Sequence, residues 1–282
     1  MDDVLDDLMR NALAMDDTGA GAFVTTSNGV RLRYRDEGPR EAPAIVFSNS
    51  LGTDLRMWEP QARTLAGSFR VVRYDTRGHG RSDAPPDPYM LDQLGGDLLA
   101  LLDALGIARV RVCGLSLGGM TALWLAAHHP DRVTHAAFAN TAARIGSVES
   151  WKARIELVRA GGMAAVREMA LPRFFSAAFR ADHPDLTQRI GTMLEATPPD
   201  GYIGCCEALR DADLHAAIAR IAAPSLIIGG ALDESTPPAQ ARELHAAIPG
   251  SELLIFPDTA HLSNLEQAEA FTARLRAFFE RA

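Results

Sequence analysis

The chain of 282 residues is 47% hydrophobic and 23% charged, which is typical of a globular protein with one large domain or a domain carrying an insertion. Its net charge of −8 is uneven: residues 1–20 hold six Asp and one Arg, so the rest of the chain carries only −3 and offers no basic field for nucleic acid. No apolar run approaches the ~20 residues of a membrane span, so we expect neither nucleic acid nor a membrane as a partner.

Residues 1–20 are predicted to be an acidic N-terminal tail outside the folded core. The apolar residues Val4, Leu5 and Leu8 would allow a short amphipathic helix, although the many Asp residues favour a loose segment equally well. The segment has no basic start and no long apolar stretch, so we do not expect it to act as a signal peptide.

The chain contains three cysteines, Cys113, Cys205 and Cys206. Two of them are adjacent, and their spacing fits neither a framework of disulfides nor a set of zinc ligands. This pattern favours a reducing cytoplasm, and it gives no reason to expect a metal.

Beyond the tail, strand-like and helix-like segments alternate. The predicted strands are Val30–Arg35, Ala44–Ser48, Phe69–Tyr74, Val110–Cys113, Val133–Ala139, Ser225–Gly229 and Glu252–Phe256. The predicted helices are Leu91–Leu105, Leu117–His129, Ala239–Ile248 and Leu265–Glu280. Such alternation indicates an α/β fold, with a mostly parallel sheet that has helices on both faces.

The alternation stops between about residues 146 and 213. This stretch has a helical composition, and its expected breaks are at Gly161-Gly162, Pro172, Pro184 and Pro198-Pro199. We therefore predict a helical cap, 146–213, inserted into a core formed by 21–145 and 214–282. The cap would cover the carboxyl edge of the sheet, where active sites of open α/β sheets lie.

A glycine-rich turn follows the predicted strand that begins at Val110. It reads Gly114-Leu115-Ser116-Leu117-Gly118, a G-x-S-x-G sequence placed between a buried strand and a helix. That setting is typical of the nucleophile elbow of the α/β-hydrolase fold, in which the serine adopts a strained backbone conformation and its neighbours must be small. A serine that only caps a helix is the alternative; the context favours Ser116 as a nucleophile.

A serine nucleophile needs a general base, and the sequence offers eight histidines. Only His261 lies in a loop after the last predicted strand, from which a side chain can reach over the sheet edge to the serine. We therefore predict His261 as the base.

The acid that orients the base is expected between the serine and the histidine in the chain. Asp233 is the first carboxylate after the predicted strand Ser225–Gly229, and the adjacent Glu234 is the second candidate. Another position for the acid follows the strand Val133–Ala139, but Asn140 stands there and has no carboxylate. Asp233 is therefore favoured.

The developing oxyanion needs two backbone N–H donors. One is expected from Leu117, the residue after the nucleophile. The other is expected from the loop after the strand Ala44–Ser48, and within that loop we predict Leu51.

With these residues in place, the sequence resembles the 3-oxoadipate enol-lactonases, which are α/β-hydrolases of bacterial aromatic catabolism. The matching stretches are Ser48–Asp54, Arg73–Gly80, Cys113–Gly119 and Asn140–Gly146. Many α/β-hydrolases have His-Gly where this chain has Asn49-Ser50, and the enol-lactonases are similar to it there. The resemblance runs from about residue 22 to the end and does not include the acidic tail.

The resemblance implies hydrolysis of 3-oxoadipate enol-lactone to 3-oxoadipate through an acyl-enzyme, with a small-molecule substrate and no cofactor. The substrate carries a free carboxylate, so a cation is expected beside the pocket. Arg144 is the first candidate, with Lys152 and Arg154 as others, and Trp151 is expected either to line the pocket or to anchor the cap.

Fold and triad do not name a substrate. Another carboxylesterase or lactonase, a carbon–carbon bond hydrolase and a perhydrolase could share this triad, and some proteins of this fold are small-molecule receptors with little turnover.

Overall fold

Eight strands form a single sheet in the computed structural model, which describes residues 21–86 and 88–281. In chain order the strands are β1 (Ala22–Thr25), β2 (Arg31–Glu37), β3 (Ala44–Ser48), β4 (Arg70–Tyr74), β5 (Val110–Leu115), β6 (Val133–Ala139), β7 (Ser225–Gly230) and β8 (Glu252–Phe256). Their order across the sheet is β1-β2-β4-β3-β5-β6-β7-β8. The β1–β2 and β2–β4 pairs are antiparallel, and the other neighbours are parallel, so the prediction of a mostly parallel sheet is confirmed.

The central strands are almost completely buried. Every residue of β3, β4 and β7 is buried, and these strands are rich in Val, Ile and Leu. Continuous burial of this kind is expected for parallel strands that have helices on both faces. The hydrophobic core therefore lies on both sides of the sheet, and the polar site residues come from the loops at the strand ends.

The helices follow the strands in the expected rhythm. They are α1 (Glu59–Leu65), α2 (Leu91–Ala104), α3 (Leu117–His128), α4 (Val148–Phe174), α5 (Ala177–Asp182), α6 (Pro184–Glu195), α7 (Pro199–Asp211), α8 (His215–Ile218), α9 (Pro238–Ala247), α10 (Ser263–Glu266) and α11 (Ala268–Phe279). Short 3-10 turns occur at Leu55–Trp58 and Pro130–Arg132. Within the described ranges, none of the helices has both the length and the hydropathy needed to cross a membrane.

Several predicted elements match the structure closely, and others do not. The predicted bounds of β3, β6 and β8 are confirmed to the residue. Two elements, α1 and β1, were not predicted from the sequence; β1 is an edge strand of only four residues, most of them exposed. The predicted final helix is two helices, because Gln267 leaves the helical region with φ −124° between α10 and α11.

The stretch between β6 and β7 is helical, as expected. Its first helix, α4, is broken at Gly162, where the backbone has φ 64° and ψ −166°, a conformation that glycine adopts without strain. The prediction of a break at Pro172 is wrong, because α4 continues to Phe174; a proline so near the end of a helix removes little of its hydrogen bonding. Pro184 and Pro199 each begin a new helix.

The helical stretch lies against loops at the carboxyl edge of the sheet. A Cβ atom on Gly78, in the turn after β4, would lie 2.6 Å from the Gly201 Cα atom in α7. This close backbone contact supports the idea of a cap, and the exact division at residues 146 and 213 stays a prediction. The predicted acidic tail, residues 1–20, lies outside the described residues.

Candidate active site

Ser116 stands between β5 and α3 with an unusual backbone conformation. Its φ is 59° and its ψ is −116°, a region that residues other than glycine rarely occupy. Strain of this kind persists only when neighbouring contacts hold it. The Ser116 N–H donates to the Ala139 carbonyl at 3.0 Å, and Thr141 Oγ1 donates to the Ser116 carbonyl at 2.8 Å. The end of β6 therefore fixes both sides of the serine.

The glycines around Ser116 are required by close backbone contacts. A Cβ atom on Gly118 would lie 2.1 Å from the Ser48 carbonyl oxygen, and one on Gly114 would lie 2.0 Å from the Gly118 carbonyl oxygen. Real Cβ atoms essentially never come this close to backbone atoms. The G-x-S-x-G spacing thus allows the turn to pack directly against the end of β3.

His261 and Asp233 form a buried pair. His261 is only 2% exposed, and its Nδ1 lies 2.8 Å from Asp233 Oδ2. When Nδ1–H donates to the carboxylate, the neutral imidazole has an unprotonated Nε2, which is the atom a general base requires. The ring of Phe174 stacks on the imidazole with 6.2 Å between the ring centroids and 18° between their planes, so the end of α4 covers the histidine.

Asp233 accepts hydrogen bonds on both of its oxygens. Oδ1 accepts from the N–H groups of Ser235 (2.8 Å) and Thr236 (3.0 Å), and Oδ2 accepts from Thr236 Oγ1 (2.7 Å) and Asn140 Nδ2 (2.9 Å). Burial alone would raise the pKa of Asp233, but the charge of His261 and these hydrogen bonds outweigh it and hold that pKa below its ordinary value. The carboxylate therefore stays ionised at neutral pH.

Ser116 and His261 line one cavity of about 280 Å³. The helical stretch contributes Trp151, Arg154 and Arg173 to its wall. Among the hydrogen bonds of the part of the chain that the structure describes, none joins Ser116 Oγ to the imidazole. Catalytic hydrogen bonds are often long before substrate binds. The shared cavity is therefore better evidence that Ser116 and His261 act together than the hydrogen-bond distances are.

The backbone N–H groups of Leu51 and Leu117 make no hydrogen bond within residues 21–86 and 88–281. The N–H groups of the residues that follow them, Gly52 and Gly118, do make hydrogen bonds. The Gly52 N–H donates to a histidine nitrogen at 2.8 Å, and the Gly118 N–H donates to a loop carbonyl at 2.9 Å. The two N–H groups predicted for the oxyanion are thus unused within the described part of the chain.

Comparison with known proteins agrees with this architecture. Residues 43–268 match the family model of the alpha/beta hydrolase fold. The chain is 41% identical over 256 residues to 3-oxoadipate enol-lactonase 2 of Acinetobacter baylyi, covering 91% of this chain and 96% of that protein. It is 42% identical over 249 residues to 3-oxoadipate enol-lactonase 1 of the same organism, covering 88% and 93%. The chain belongs to the 3-oxoadipate enol-lactonase family of α/β-hydrolases.

A solved structure extends the family relationship to three dimensions. The enol-lactonase of Burkholderia xenovorans LB400 superposes with a TM-score of 0.90 at 45% identity, covering 92% of this chain and 100% of that one. The predicted fold class is therefore confirmed, together with the assignment of the chain as a hydrolase that acts on an ester through a small-molecule site.

The enol-lactonase cavity contains one of the two predicted substrate contacts and not the other. Trp151 is in the wall, and its Nε1 donates to the Ile145 carbonyl at 2.6 Å. Arg144 is outside the wall and half-exposed, with its guanidinium 3.5 Å from Asp213. Arg154, one turn further along α4 than Trp151, is in the wall and donates to the Tyr202 hydroxyl at 2.9 Å.

Two polar residues at the site of this enol-lactonase family member were not predicted from the sequence. Asn140 was set aside because it lacks a carboxylate, yet its amide donates to Asp233. Ser50 Oγ is buried in the cavity wall and has no hydrogen-bond partner in the described part of the chain. The signals for Ser50 in the sequence were its place beside Leu51 and the Asn49-Ser50 pair, in which the chain resembles the enol-lactonases. Within that same part, no group of three His, Cys, Asp or Glu side chains is arranged to hold a metal.

Proposed function

We propose that this protein hydrolyses 3-oxoadipate enol-lactone to 3-oxoadipate, with Ser116, His261 and Asp233 as a catalytic triad. The observation that carries the proposal is the cavity that joins Ser116 and His261 to the guanidinium-bearing Arg154. A lactone that carries a carboxylate needs an acyl-transfer group and a cation in one enclosed space. Relatives named 3-oxoadipate enol-lactonase, at 41% and 42% identity over nearly their whole length, support this choice of substrate.

In the proposed first step, Ser116 Oγ attacks the lactone carbonyl while His261 Nε2 takes its proton. Asp233 holds the imidazole through Nδ1 and stabilises the imidazolium that forms. The N–H groups of Leu51 and Leu117 donate to the oxyanion of the tetrahedral intermediate. The ring C–O bond then breaks, and the ring oxygen takes the proton from His261 and leaves as an enol.

The second step releases the product. The opened substrate stays attached to Ser116 as one acyl group, so no fragment departs after the first step. Water attacks the acyl carbonyl as His261 takes one of its protons, and Ser116 leaves with that proton returned to Oγ. The enol tautomerises to the ketone of 3-oxoadipate. Because an enol is a better leaving group than an ordinary alcohol, the acylation step needs less help from the general acid.

The free carboxylate of the substrate is assigned to Arg154. Its guanidinium lies 5.8 Å from the Trp151 ring and donates to Tyr202, two contacts that orient the side chain within the wall. A guanidinium held in this way can donate two parallel hydrogen bonds to a carboxylate. Arg173 is also in the wall, although its residue is largely exposed, so it is the second choice.

Ser50 is assigned as a further polar contact to the substrate. A buried hydroxyl without a partner is unfavourable, and a substrate oxygen in the cavity would satisfy it. Because Ser50 is next to Leu51 in the chain, we propose that this contact is on the oxyanion side of the substrate.

The cellular setting is part of the same proposal. Cys113, Cys205 and Cys206 are buried and unpaired, which is the usual state of cysteines in a reducing compartment. We therefore assign the enzyme to the cytoplasm, where it would act on its small-molecule substrate without nucleic acid or a membrane.

The decisive experiment is turnover by the purified protein across a short panel. The panel holds 3-oxoadipate enol-lactone, a neutral five-membered lactone and an aryl acetate. We expect continuous turnover of the enol-lactone with the largest kcat/KM of the three. Fast hydrolysis of the aryl ester with none of the enol-lactone would remove the substrate assignment, and a single turnover followed by arrest would indicate a receptor.

Ser116→Ala tests the triad in the same assay. We expect a loss of at least ~10³ in kcat, as for other triad serines, because the covalent route is then absent. Circular dichroism and thermal unfolding of the variant would show that it still folds. If the folded variant kept more than a tenth of the rate, Ser116 would not be the nucleophile.

Arg154→Ala tests the carboxylate contact, with Arg144→Ala as the matched control from outside the cavity wall. A lost charge-assisted hydrogen bond costs roughly 1.5–3 kcal/mol, so we expect about a tenfold or greater rise in KM for the enol-lactone. The neutral lactone should respond much less, and Arg144→Ala should leave both nearly unchanged. An equal effect of Arg154→Ala on both lactones would contradict the assignment.

A further inference from the structure

A buried histidine outside the triad contacts the loop that carries Leu51. His79 lies in the turn after β4 and is 1% exposed, and its Nε2 accepts the Gly52 N–H at 2.8 Å. Its Nδ1 lies 3.3 Å from the Arg77 carbonyl, a contact in which only a nitrogen that bears hydrogen can donate. These two contacts select one neutral tautomer, with the proton on Nδ1 and the lone pair on Nε2 directed at the loop.

The hydrogen bond from the Gly52 N–H to His79 also restricts the backbone of the preceding residue, Leu51. Gly52 has φ 77°, and its N–H belongs to the peptide group that immediately follows Leu51. On the other side, the Ser50 carbonyl accepts the Thr53 N–H at 3.1 Å, which closes the loop into a turn. With the peptide after Leu51 fixed by His79 and the turn closed at Ser50, the direction of the Leu51 N–H is restricted.

The turn that carries His79 is itself rigidly held. Arg77 forms two hydrogen bonds to Asp97, at 2.5 and 2.7 Å, and both side chains are buried. The Ser82 hydroxyl donates to the Asp75 carbonyl at 2.6 Å. Because this turn is rigidly held, His79 has a fixed position, and it can therefore fix the orientation of the Gly52 N–H that donates to it.

Helix α7 packs on the opposite side of this turn. Gly78 is in backbone contact with Gly201, and Cys205 Sγ lies 4.0 Å from His79 Nδ1. A Cβ atom on Gly52 would lie 3.2 Å from the ring of Tyr202, the residue that also binds Arg154. The helical stretch, the His79 turn and the Leu51 loop are therefore in continuous contact.

We propose that His79 is a positioning residue, which uses the hydrogen bond from Gly52 to hold the Leu51 N–H in the direction that the oxyanion requires. The proposal rests on the role assigned above to Leu51. His79 does not touch the substrate, and its contribution is realised mainly when the tetrahedral intermediate forms. The consequence is a selective effect on kcat and on the binding of tetrahedral mimics, with little effect on binding of the planar substrate.

Two variants separate this role from a general structural one. His79→Gln places an amide oxygen near the position of Nε2, where it can still accept the Gly52 N–H. His79→Asn keeps a polar group near the position of Nδ1 but is too short to reach Gly52. Both are polar replacements of similar size, and thermal unfolding would show whether they are equally folded.

The readouts are kcat and KM for the enol-lactone and the aryl acetate, and the affinity for an alkylboronic acid, which adds to a serine as a tetrahedral anion. We expect His79→Asn to lose at least ~10-fold in kcat and in boronate affinity with KM within about twofold, as for weakening of one oxyanion donor. His79→Gln should recover most of both losses. Equal losses in the two variants, or losses in KM alone, would overturn the proposal.

Failure of the substrate assignment would not obscure this result. If the wild-type protein ignores the enol-lactone, the aryl acetate and the boronate still report on the oxyanion donor. If no substrate is turned over, the ratio of boronate affinities between wild type, His79→Gln and His79→Asn decides the question by itself.

Discussion

Asp233 has to remain ionised although it is almost completely buried. Desolvation opposes its charge, and the hydrogen bonds from Ser235, Thr236 and Asn140, together with His261, reverse that effect. Asn140 is placed for this task by its position at the end of β6, where it has φ 44°, a conformation that asparagine tolerates better than most residues. The orientation of the proposed triad is thus shared among three loops.

Asn140→Asp tests this arrangement with little change of shape. The new carboxylate would lie about where the amide now contacts Asp233 Oδ2 at 2.9 Å, and a second negative charge at that distance raises the pKa of the carboxylates and makes proton binding at the site more favourable. We therefore expect the acid limb of the kcat/KM–pH profile to move upward by about one pH unit or more. Asn140→Gly, which removes the amide without adding charge, should move it less. An unchanged acid limb in Asn140→Asp would contradict this account.

These residues mark the limit of what the sequence could predict. Ser116, His261 and Asp233 could be proposed from the order of strands and loops, because topology brings the carboxyl ends of parallel strands to one edge. The donor Asn140 could not, since it is 93 residues from Asp233 in the chain and meets the carboxylate only through the particular packing of the loops.

At the scale of elements, the strand–turn–helix unit β5–Ser116–α3 depends on the absence of side chains. Gly118 packs against the backbone carbonyl group of Ser48, which cannot move aside as a side chain can. Gly96, in the middle of α2, has a different environment: a Cβ atom there would have no neighbour within 4 Å. The same substitution should therefore have opposite effects at the two positions.

Gly118→Ala is expected to destabilise the protein by at least ~1–3 kcal/mol, the usual cost of overpacking, and to lower kcat because Ser116 would shift. Gly96→Ala is expected to stabilise it by roughly 0.5–1 kcal/mol, because alanine is the better residue in a helix interior. Urea unfolding of both variants provides the free energies. Similar stability changes of one sign in the two variants would be inconsistent with the contacts described for Gly118.

The elements themselves were predictable to different degrees. The strands β3, β6 and β8 are short, largely apolar runs with clear limits, and their bounds followed from hydrophobicity. The edge strand β1 is held by pairing with β2 rather than by burial, so its sequence carries no periodic signal. Hydrophobicity patterns therefore fail to predict a strand that is stabilised mainly by backbone pairing.

At the scale of the whole molecule, the cavity combines residues from the sheet edge with residues from α4 and α7. The sequence placed Arg144 at the active edge because it follows β6, but its side chain contacts Asp213 outside the cavity wall, and Arg154 enters the wall from α4 instead. The direction of a long helix relative to the sheet decides which of its residues face the site. Helix α4 packs on α7, which in turn contacts the turn after β4 through Gly201 and Gly78, and no local sequence pattern reports such contacts.

The buried polar groups near this site also make the stability of the protein depend on pH. Burial lowers the pKa of His79 to about 4 from an ordinary value of 6.5, so between these pH values the unfolded chain binds a proton that the folded protein excludes. The unfolding free energy attributable to His79 is therefore retained above pH 6.5 and falls as the pH is lowered toward 4. The groups facing His79 are Asp54, the Arg77 carbonyl, the Gly52 N–H and Cys205, of which Asp54 and the Arg77 carbonyl partly oppose the effect of burial.

We expect the wild-type protein to lose about 2 kcal/mol more of its unfolding free energy than His79→Gln when the pH is lowered from 7 to 5, because glutamine has no proton to exchange. The other titrating groups, including the buried His135 and Asp233, are common to both proteins, so the difference isolates His79. Urea unfolding at the two pH values measures it. If the two proteins lost stability in parallel, His79 would not be held neutral by its burial, and its lone pair would not be secured for the Gly52 N–H.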